Sequence, residues 1–273
     1  MKIAVTGGTG FIGQYVVSLL VSKGVDVIVI GTSVEKAKAL SWYSSVDFIE
    51  LDINDVTGND IAERIASADK LIHLAWSGLP NYKDLFHFEI NLPNQYRFLK
   101  QLVTLGITDI IVTGTCFEYG MKEGALDASL PSDPQNPYAI AKDTLRKFLQ
   151  QLKTQHSFRL KWLRLFYMYG PGQSEKSILS LLEKALQNGD EEFKMSGGEQ
   201  LRDYLPVTDV AAEIVSFALD DEKDGIYNVC SGTPISINKL VEAYLNRSNK
   251  TIKLNKGYYP YPDYEPMAFW GVK

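Results

Sequence analysis

Short apolar runs alternate with longer amphipathic segments through the first 168 residues of the chain. Several runs are apolar at consecutive positions, which is typical of strands that are covered on both faces in a parallel sheet. The segments between them repeat their apolar residues at helical spacing. The pattern predicts strands over 2–6, 26–30, 47–51, 70–75, 109–114 and 161–166, and helices over 11–23, 34–41, 59–67, 82–105 and 138–154. The longest of these helices contains Pro93 and is expected to kink or divide there. This order indicates βαβ units, and therefore an α/β fold with a doubly wound parallel sheet.

The rhythm loosens after about residue 168. Helical patterns recur near 175–187, 209–220 and 236–247, separated by Gly, Pro and Asp turns. They predict a smaller lobe. The chain closes on "GYYPYPDYEPMAFWG", which is rich in proline and aromatic residues and is predicted to lack regular structure. Its rings could cover a cleft or a partner subunit; packing as a strap is the favoured interpretation.

Composition is that of a soluble globular protein: 273 residues, 45% hydrophobic and 22% charged, with a formal net charge of -5. No long block of one charge favours nucleic acid or a membrane surface as a partner. No apolar run approaches the roughly 18 residues that cross a bilayer, so the cytoplasm is the expected compartment. Metal ligation is not expected, because Cys116 and Cys230 lack C-x-x-C spacing and the histidines at positions 73, 87 and 156 are scattered.

The stretch "TGGTGFIG" follows the first predicted strand and opens the first predicted helix. Glycine at positions 7, 10 and 13 allows a tight turn and a close approach of the backbone to a pyrophosphate. The helix that begins near Phe11 offers free amides and a positive dipole end. An ordinary glycine turn is the alternative, but the position after the first strand favours phosphate binding.

A possible catalytic group lies in "NPYAIAK". Tyr138 and Lys142 are four residues apart in a helical segment, so their side chains share one face. A nearby ammonium stabilises phenolate, which makes tyrosine a usable acid or base. Thr115 ends a predicted strand, and the carboxyl ends of parallel strands are where α/β sheets bind ligands.

Together these motifs resemble the extended short-chain dehydrogenase/reductases of the nucleotide-sugar epimerase/dehydratase superfamily over nearly the whole chain. The resemblance implies a Rossmann fold with a smaller C-terminal substrate-binding lobe. It also implies that Thr115, Tyr138 and Lys142 form the catalytic triad. Tyr138 and Lys142 also belong to the cofactor site that it implies, together with Gly7, Gly10, Phe11, Ile12, Gly13, Thr32, Ser33, Asp52, Ile53, Leu74, Ala75, Trp76 and Asn91.

The resemblance further implies how the chain is divided. Residues 1–168, with 205–230 returning to them, form the dinucleotide-binding part, while 169–204 and 231–273 form the lobe that binds the nucleotide sugar. Arg202 matches the residue that grips the diphosphate, for which a guanidinium fork is well suited; an ion pair with Asp203 or Asp209 is the alternative. A homodimer through the helices at 82–105 and 138–154 is also implied.

Departures from the family pattern point to the reaction. Related dehydratases carry Asp-Glu after the catalytic Thr, where this chain has Cys116 and Phe117, so dehydration is disfavoured. Glu118 either touches substrate or supports its loop, and Tyr167 replaces an Asn common among relatives. With Cys116, Glu118, Tyr167 and Arg202 as substrate-binding residues, the chain most resembles reductases of dTDP- or CDP-linked 4-keto-6-deoxyhexoses. A nucleotide-sugar 4-epimerase and a non-catalytic cofactor-binding regulator are the alternatives.

The cofactor form is predicted from the end of the second strand. Gly31 stands where NAD-preferring enzymes usually carry an acidic residue. Thr32, Ser33 and Lys36 could hold a 2'-phosphate, although Ser33 could equally be a simple helix cap. The cofactor is therefore NADP(H) or NAD(H), with NADPH slightly favoured.

Overall fold

The computed structural model describes residues 1–54 and 58–273. Its strands are β1 (Lys2–Thr6), β2 (Asp26–Gly31), β3 (Asp47–Glu50), β4 (Lys70–His73), β5 (Asp109–Thr115), β6 (Gly124–Leu126), β7 (Arg159–Leu165), β8 (Tyr167–Tyr169), β9 (Glu192–Lys194), β10 (Leu201–Pro206), β11 (Gly225–Val229), β12 (Pro234–Ser236), β13 (Lys253–Asn255) and β14 (Phe269–Gly271). Its α-helices are α1 (Phe11–Ser22), α2 (Val34–Lys38), α3 (Asn59–Ala66), α4 (Leu92–Thr104), α5 (Pro137–Leu152), α6 (Ile178–Asn188), α7 (Val207–Leu219) and α8 (Ile237–Ser248).

A parallel sheet of seven strands runs through the described residues in the order β3-β2-β1-β4-β5-β7-β11. The chain winds outward from β1 to β3, then crosses over and continues from β4 to the other edge. Where the direction of winding reverses, between β1 and β4, the connections after the strands leave a crevice at the carboxyl ends. The predicted α/β fold with a doubly wound sheet is therefore confirmed.

Helices cover both faces of this sheet. On one face, α1 and α7 contribute Val16, Leu20 and Ile214 to a buried apolar cluster. On the other, α4 and α5 contribute Leu99 and Leu145 to a second cluster. Burial of these stripes supplies the main stabilisation of the fold.

The long helix predicted over 82–105 begins later than expected. Its first regular turn is a π-helix at His87–Asn91, and α4 starts at Leu92 with a proline in its first turn. Proline has no amide hydrogen. The amides in the first turn of a helix have no partner within the helix, so Pro93 suits this start. The change from π-helix to α-helix thus falls next to Pro93, where the sequence predicts a kink or a division.

The remaining strands form small sheets beyond the central one: β12-β10-β8, β13-β9 and β14-β6. The expectation that the C-terminal stretch lacks regular structure was wrong for Phe269–Gly271, because β14 pairs in parallel with β6. The side chains of α6 and α8 pack into their own apolar cluster. The division of the chain into a dinucleotide-binding part and a lobe stays a prediction. No helix in the described part of the chain is both long and apolar enough to span a membrane.

Candidate functional site

The turn from β1 to α1 is built so that only glycine fits. Gly7 has φ +70°, and a Cβ there would lie 2.9 Å from the backbone nitrogen of Ala75. A Cβ on Gly13 would collide with the backbone of Gly7, whose carbonyl accepts a hydrogen bond of 2.9 Å from the Gly10 amide. No side chain caps α1 at Gly10. The first amides of the helix, from Phe11 and Ile12 onward, therefore point into a cradle that suits a pyrophosphate.

A buried polar chain holds the 74–76 loop beside this turn. The His73 Nε2 atom lies 2.6 Å from Oε1 of Gln95, and its Nδ1 lies 2.9 Å from the Thr6 hydroxyl. The same hydroxyl accepts the amides of Leu74 and Ala75 at 3.2 and 3.3 Å. Burial lowers the pKa of His73 to about 3, so the ring is neutral. One ring nitrogen therefore donates a hydrogen bond and the other accepts one.

The other predicted cofactor residues occupy the ends of β2 and β3. Ser33 caps α2 by accepting the Lys36 amide, and the preceding Thr32 is exposed. Asp52 closes a turn by accepting the amide of Asn54 at 2.9 Å, and Ile53 packs into the core. Their predicted contacts with a cofactor stay predictions.

Thr115, Tyr138 and Lys142 converge at the carboxyl end of β5. Tyr138 lies in the first turn of α5 and Lys142 one turn later, so both face the sheet. The Lys142 ammonium donates to the Thr113 carbonyl at 2.8 Å and lies 4.2 Å from the centre of the Trp76 ring. The Thr115 hydroxyl is close enough to the Tyr138 phenol to lower the pKa of that phenol.

Burial dominates the electrostatics of this group. It raises the pKa of Tyr138, and the neighbouring Tyr82 and Glu118 add to the effect, while the nearby Thr115 hydroxyl opposes it. Burial also lowers the pKa of Lys142 to about 7. The expected lowering of the tyrosine's pKa by the ammonium is thus outweighed in this structure by the loss of water around the phenol.

Residues that the sequence did not single out surround Tyr138. The Tyr82 ring lies 5.6 Å from it and the His87 ring 5.3 Å. His87 accepts a hydrogen bond of 3.1 Å from the Trp76 indole and donates one of 3.0 Å to the Asn81 carbonyl. Burial lowers the pKa of His87, in keeping with a neutral wall residue. These contacts join rings from separate segments of the chain, so no short sequence pattern could have predicted them.

Asn91, another predicted cofactor residue, is fully buried below the 74–76 loop. Its amide oxygen accepts the Ser77 hydroxyl at 2.8 Å, and its amide nitrogen donates to the Ser77 carbonyl at 3.1 Å. In this structure Asn91 holds the loop, and a direct contact with a cofactor stays a prediction.

Glu118 does not reach the substrate side of the site. Its carboxylate lies in the interior, where it accepts hydrogen bonds from the Thr115 amide at 3.0 Å and the Arg164 guanidinium at 2.8 Å. The Trp162 indole donates to it as well. Substrate contact by Glu118 is therefore corrected to the other interpretation, support of the loop. The adjacent Cys116 is buried, and burial raises the pKa of its thiol.

Arg202 has a partner that neither interpretation anticipated. Its Nη2 lies 2.8 Å from Oε1 of Glu265, in the C-terminal segment. The other oxygen of Glu265 accepts the Tyr167 hydroxyl. The suggested partner Asp203 instead accepts the amides of Ser231 and Gly232. An ion pair of Arg202 with Asp203 or Asp209 was therefore the wrong alternative, while its contact with a diphosphate stays a prediction.

Comparisons with known proteins agree with this architecture. Residues 3–230 match the model of the NAD dependent epimerase/dehydratase family. A dTDP-6-deoxy-L-talose 4-dehydrogenase (NAD(+)) from Aggregatibacter actinomycetemcomitans is 35% identical over the full length of both chains. A UDP-glucose 4-epimerase from Halalkalibacterium halodurans is 25% identical, with 89% of this chain and 79% of that protein covered.

Among solved structures, a UDP-N-acetylglucosamine 4-epimerase from Methanobrevibacter ruminantium superposes with a TM-score of 0.88 at 25% identity. The match covers 99% of this chain and 89% of that one. The family model spans most of the chain, including the glycine turn, Thr115, Tyr138 and Lys142. This chain therefore belongs to the NAD dependent epimerase/dehydratase family of extended short-chain dehydrogenase/reductases.

Proposed function

We propose that the protein reduces the 4-keto group of a dTDP-linked 4-keto-6-deoxyhexose, and catalyses the reverse oxidation, with NAD(H). The observation that carries the proposal is the convergence of Thr115, Tyr138 and Lys142 beside the glycine turn. The relative at 35% identity is a 4-dehydrogenase of a dTDP-6-deoxyhexose. Oxidation of a C4 hydroxyl and reduction of a C4 ketone are one reaction in opposite directions, which supports this choice of substrate.

The residues of the triad have distinct roles. The nicotinamide, when bound, supplies the hydride that C4 of the sugar receives. Tyr138 gives its phenolic proton to the oxygen on C4 as that oxygen gains negative charge. Thr115 donates a hydrogen bond to the same oxygen, which stabilises the developing charge. Lys142 sits one helical turn behind Tyr138, where its protonated form stabilises the phenolate that remains.

The pKa directions are consistent with the direction of reduction. Burial raises the pKa of Tyr138, so the phenol holds its proton at neutral pH and is ready to donate it. The pKa of Lys142, lowered to about 7, leaves this amine able to gain or lose a proton near neutral pH. When Tyr138 loses its proton, Lys142 can therefore take one up, and the net charge of the pair stays the same.

The cofactor residues are Gly7, Gly10, Gly13 and the first amides of α1 for the pyrophosphate, with the 74–76 loop below. For the ribose, Glu50 offers the carboxylate that Gly31 cannot. Glu50 is paired in register with Gly31, and its Oε1 accepts the Val34 amide at 3.1 Å. A negative charge there disfavours a 2'-phosphate, so we propose NAD(H) rather than NADPH as the preferred cofactor.

Glu50→Gln tests the cofactor proposal. The amide can still accept the Val34 hydrogen bond but carries no charge. Its use of NADPH relative to NADH should rise by about three- to tenfold, the size of one partly screened charge contact. Kinetics with both reduced cofactors give this ratio. An unchanged ratio would remove Glu50 from cofactor recognition.

The function itself is tested with dTDP-, CDP- and UDP-linked 4-keto-6-deoxyhexoses and each reduced nicotinamide. Loss of reduced-nicotinamide absorbance, equal in amount to the sugar consumed, is expected with the dTDP sugar. Analysis of the product should show a hydroxyl at C4. Absence of turnover with all donors, in protein that binds NAD, would refute the proposal.

A 4-epimerase is the second candidate, favoured by the fold match to a 4-epimerase with a TM-score of 0.88. An epimerase returns the hydride to the same carbon and consumes no added cofactor. Conversion of a nucleotide hexose to its C4 epimer without net loss of NADH would establish it. A non-catalytic regulator is the third, and it would gain support if Tyr138→Phe changed no measurable function.

We also propose a homodimer through the outer face of α4 and α5. Ile140 and Phe148 lie on this face of α5 and are 39% and 43% exposed. Phe148 packs against Tyr96 of α4 with ring centres 5.3 Å apart. Large apolar side chains left in water on one helix, beside a half-buried tyrosine of the next, are typical of a helix-to-helix interface. Analytical ultracentrifugation should give a dimer, and Phe148→Glu should give a monomer.

A further inference from the structure

The segment 256–268, called the strap below, bridges the two sides of the candidate site. On the side of the central sheet, its Tyr264 ring packs against Tyr82 and Phe117, each with ring centres 6.1 Å apart. On the side of the small sheets, the Leu201 amide and the Arg202 guanidinium donate to its Met267 carbonyl at 2.9 and 3.1 Å. The strap therefore crosses over the space between Tyr138 and Arg202.

Glu265 is the charged residue of the strap that points into this space. Its side chain is 9% exposed. One oxygen pairs with Arg202 and the other accepts the Tyr167 hydroxyl. Asp263, two residues earlier, lies outside instead and pairs with Lys83 in water.

A continuous series of rings links Glu265 to the catalytic tyrosine. The Tyr167 ring lies 6.3 Å from Phe117, Phe117 lies 5.1 Å from Tyr82, and Tyr82 lies 5.6 Å from Tyr138. The charge of Glu265 also reaches Cys116, where it adds to the effect of burial in raising the pKa of the thiol. If a diphosphate binds at Arg202 and the reacting carbon lies at Tyr138, the hexose between them lies along this series of rings, which begins next to Glu265.

We propose that Glu265 determines sugar specificity: it accepts hydroxyl groups of a neutral hexose and excludes sugars that carry a carboxylate at C6. The inference rests on the proposed function, since it assumes a nucleotide sugar between Arg202 and Tyr138. The triad acts only at the reacting carbon and its oxygen, so it does not distinguish between sugars that differ at C6. Glu265 would add that distinction.

Charge balance gives the reason. A bound nucleotide sugar brings two negative charges on its diphosphate next to Arg202, which already pairs with Glu265. The local sum of these groups is then two negative charges, and a carboxylate at C6 would add a third among aromatic walls of low polarity. A methyl or hydroxymethyl group at C6 adds none, and an apolar methyl gains contact with the rings.

The test compares dTDP-glucose with dTDP-glucuronic acid, which differ only in the group at C6, as competitive inhibitors of the reductase reaction in the full-length protein. The wild type should bind dTDP-glucuronic acid at least about tenfold more weakly, as expected for like charges brought together at a binding site. Glu265→Gln keeps a group that accepts from Tyr167 and removes the charge, so the difference should fall to about threefold or less. Asp263→Asn removes a charge from the outer side of the same strap and should retain the wild-type difference.

The outcomes separate the inference from the function beneath it. If Glu265→Gln tightens both inhibitors equally, the carboxylate merely competes with the diphosphate for Arg202, and the specificity role is refuted. Equal binding of the two sugars by the wild type refutes it as well. Both results leave the reductase reaction standing. If neither inhibitor binds and no keto sugar turns over in protein that binds NAD, the proposed function fails and this inference fails with it.

Discussion

The two ends of strand β5 both carry buried polar side chains, yet they are arranged differently. Asp109 begins the strand and Thr115 ends it. At the amino end, buried cations meet a buried carboxylate. At the carboxyl end, the Lys142 ammonium meets a backbone carbonyl and an aromatic ring. The same strand thus carries a cluster of paired charges at its amino end. At its carboxyl end it carries a buried amine without a carboxylate partner among the described residues.

At the amino end, Asp109 binds three cations from neighbouring strands. Its Oδ2 lies 3.0 Å from the Lys161 and Arg159 nitrogens and 3.6 Å from that of Lys70. Asp221 adds a second carboxylate, 2.6 Å from Lys70. Burial lowers the pKa of Lys161, but Asp109 opposes the shift. This cluster joins β4, β5 and β7 near their amino ends, whereas the crevice lies at the carboxyl ends.

The difference separates stability from chemistry. A buried cation matched by a carboxylate keeps its charge, and removing either partner leaves the other charge buried. A buried amine without such a match changes its protonation easily, as the pKa of Lys142 near 7 indicates. We therefore expect changes at the carboxyl end to affect turnover, and changes at the amino end to affect unfolding.

The largest expected effect is at the carboxyl end. Tyr138→Phe removes the proton donor while keeping the ring that packs against Tyr82 and His87. Turnover should fall by about 10²- to 10⁴-fold, the usual contribution of one acid or base. The thermal unfolding midpoint and the NAD dissociation constant should stay close to wild type. Retained turnover would break the distinction between the two ends.

Asp109→Asn should have the next largest effect, and on stability. It leaves three cations facing a neutral amide, which should lower the free energy of unfolding by about 3–5 kcal/mol. Urea unfolding gives the difference. Turnover per folded molecule, measured below the transition, should match wild type. A loss of turnover without a loss of stability would contradict the assignment.

The third prediction concerns the pH dependence of stability. Between about pH 7 and the ordinary lysine pKa of about 10.4, Lys142 is protonated in the unfolded chain but has released its proton in the native protein. The unfolded state then binds more protons, so the free energy of unfolding rises with pH by up to about 1.4 kcal/mol per unit. Below pH 7 this contribution is lost.

Lys142→Met should remove this rise. Urea unfolding of both proteins at several pH values between 7 and 10 gives the difference in slope, in which shifts of other groups cancel. Parallel slopes for wild type and Lys142→Met would show that the amine stays charged in the native protein, as it does at the amino end.

The smallest effect is expected from an exposed pair at the same amino edge. Asp47 begins β3 and pairs with Arg64, and both side chains are about half exposed. Asp47→Asn should cost less than about 1 kcal/mol, because water already screens the pair. Comparison with Asp109→Asn by urea unfolding separates the effect of burial from that of position in the sheet. Equal losses would show that burial is not the cause.

The fold and the placement of Tyr138 and Lys142 could be predicted because their signals are local. Consecutive apolar residues mark buried parallel strands, the spacing of Gly7, Gly10 and Gly13 marks the turn, and four-residue spacing places Tyr138 and Lys142 on one helix face. Pro93 marked the start of α4, but the sequence did not show that the segment 82–85 lies outside a helix, since the apolar pattern continues through it. The strand Phe269–Gly271 is three residues long and depends on a partner more than a hundred residues away.

The sequence by itself determined the order of strands and helices, the glycine turn and the shared helix face of Tyr138 and Lys142, because each depends on neighbours within a few positions. Only the tertiary structure decided which charges meet: Glu265 with Arg202 and Tyr167, Glu118 with Arg164, and Asp109 with Lys161. These contacts join residues that are 46 to 98 positions apart or belong to different sheets. Burial strengthens the electrostatic attraction in each of these contacts. Because burial depends on how the whole chain packs, no short stretch of sequence reveals it.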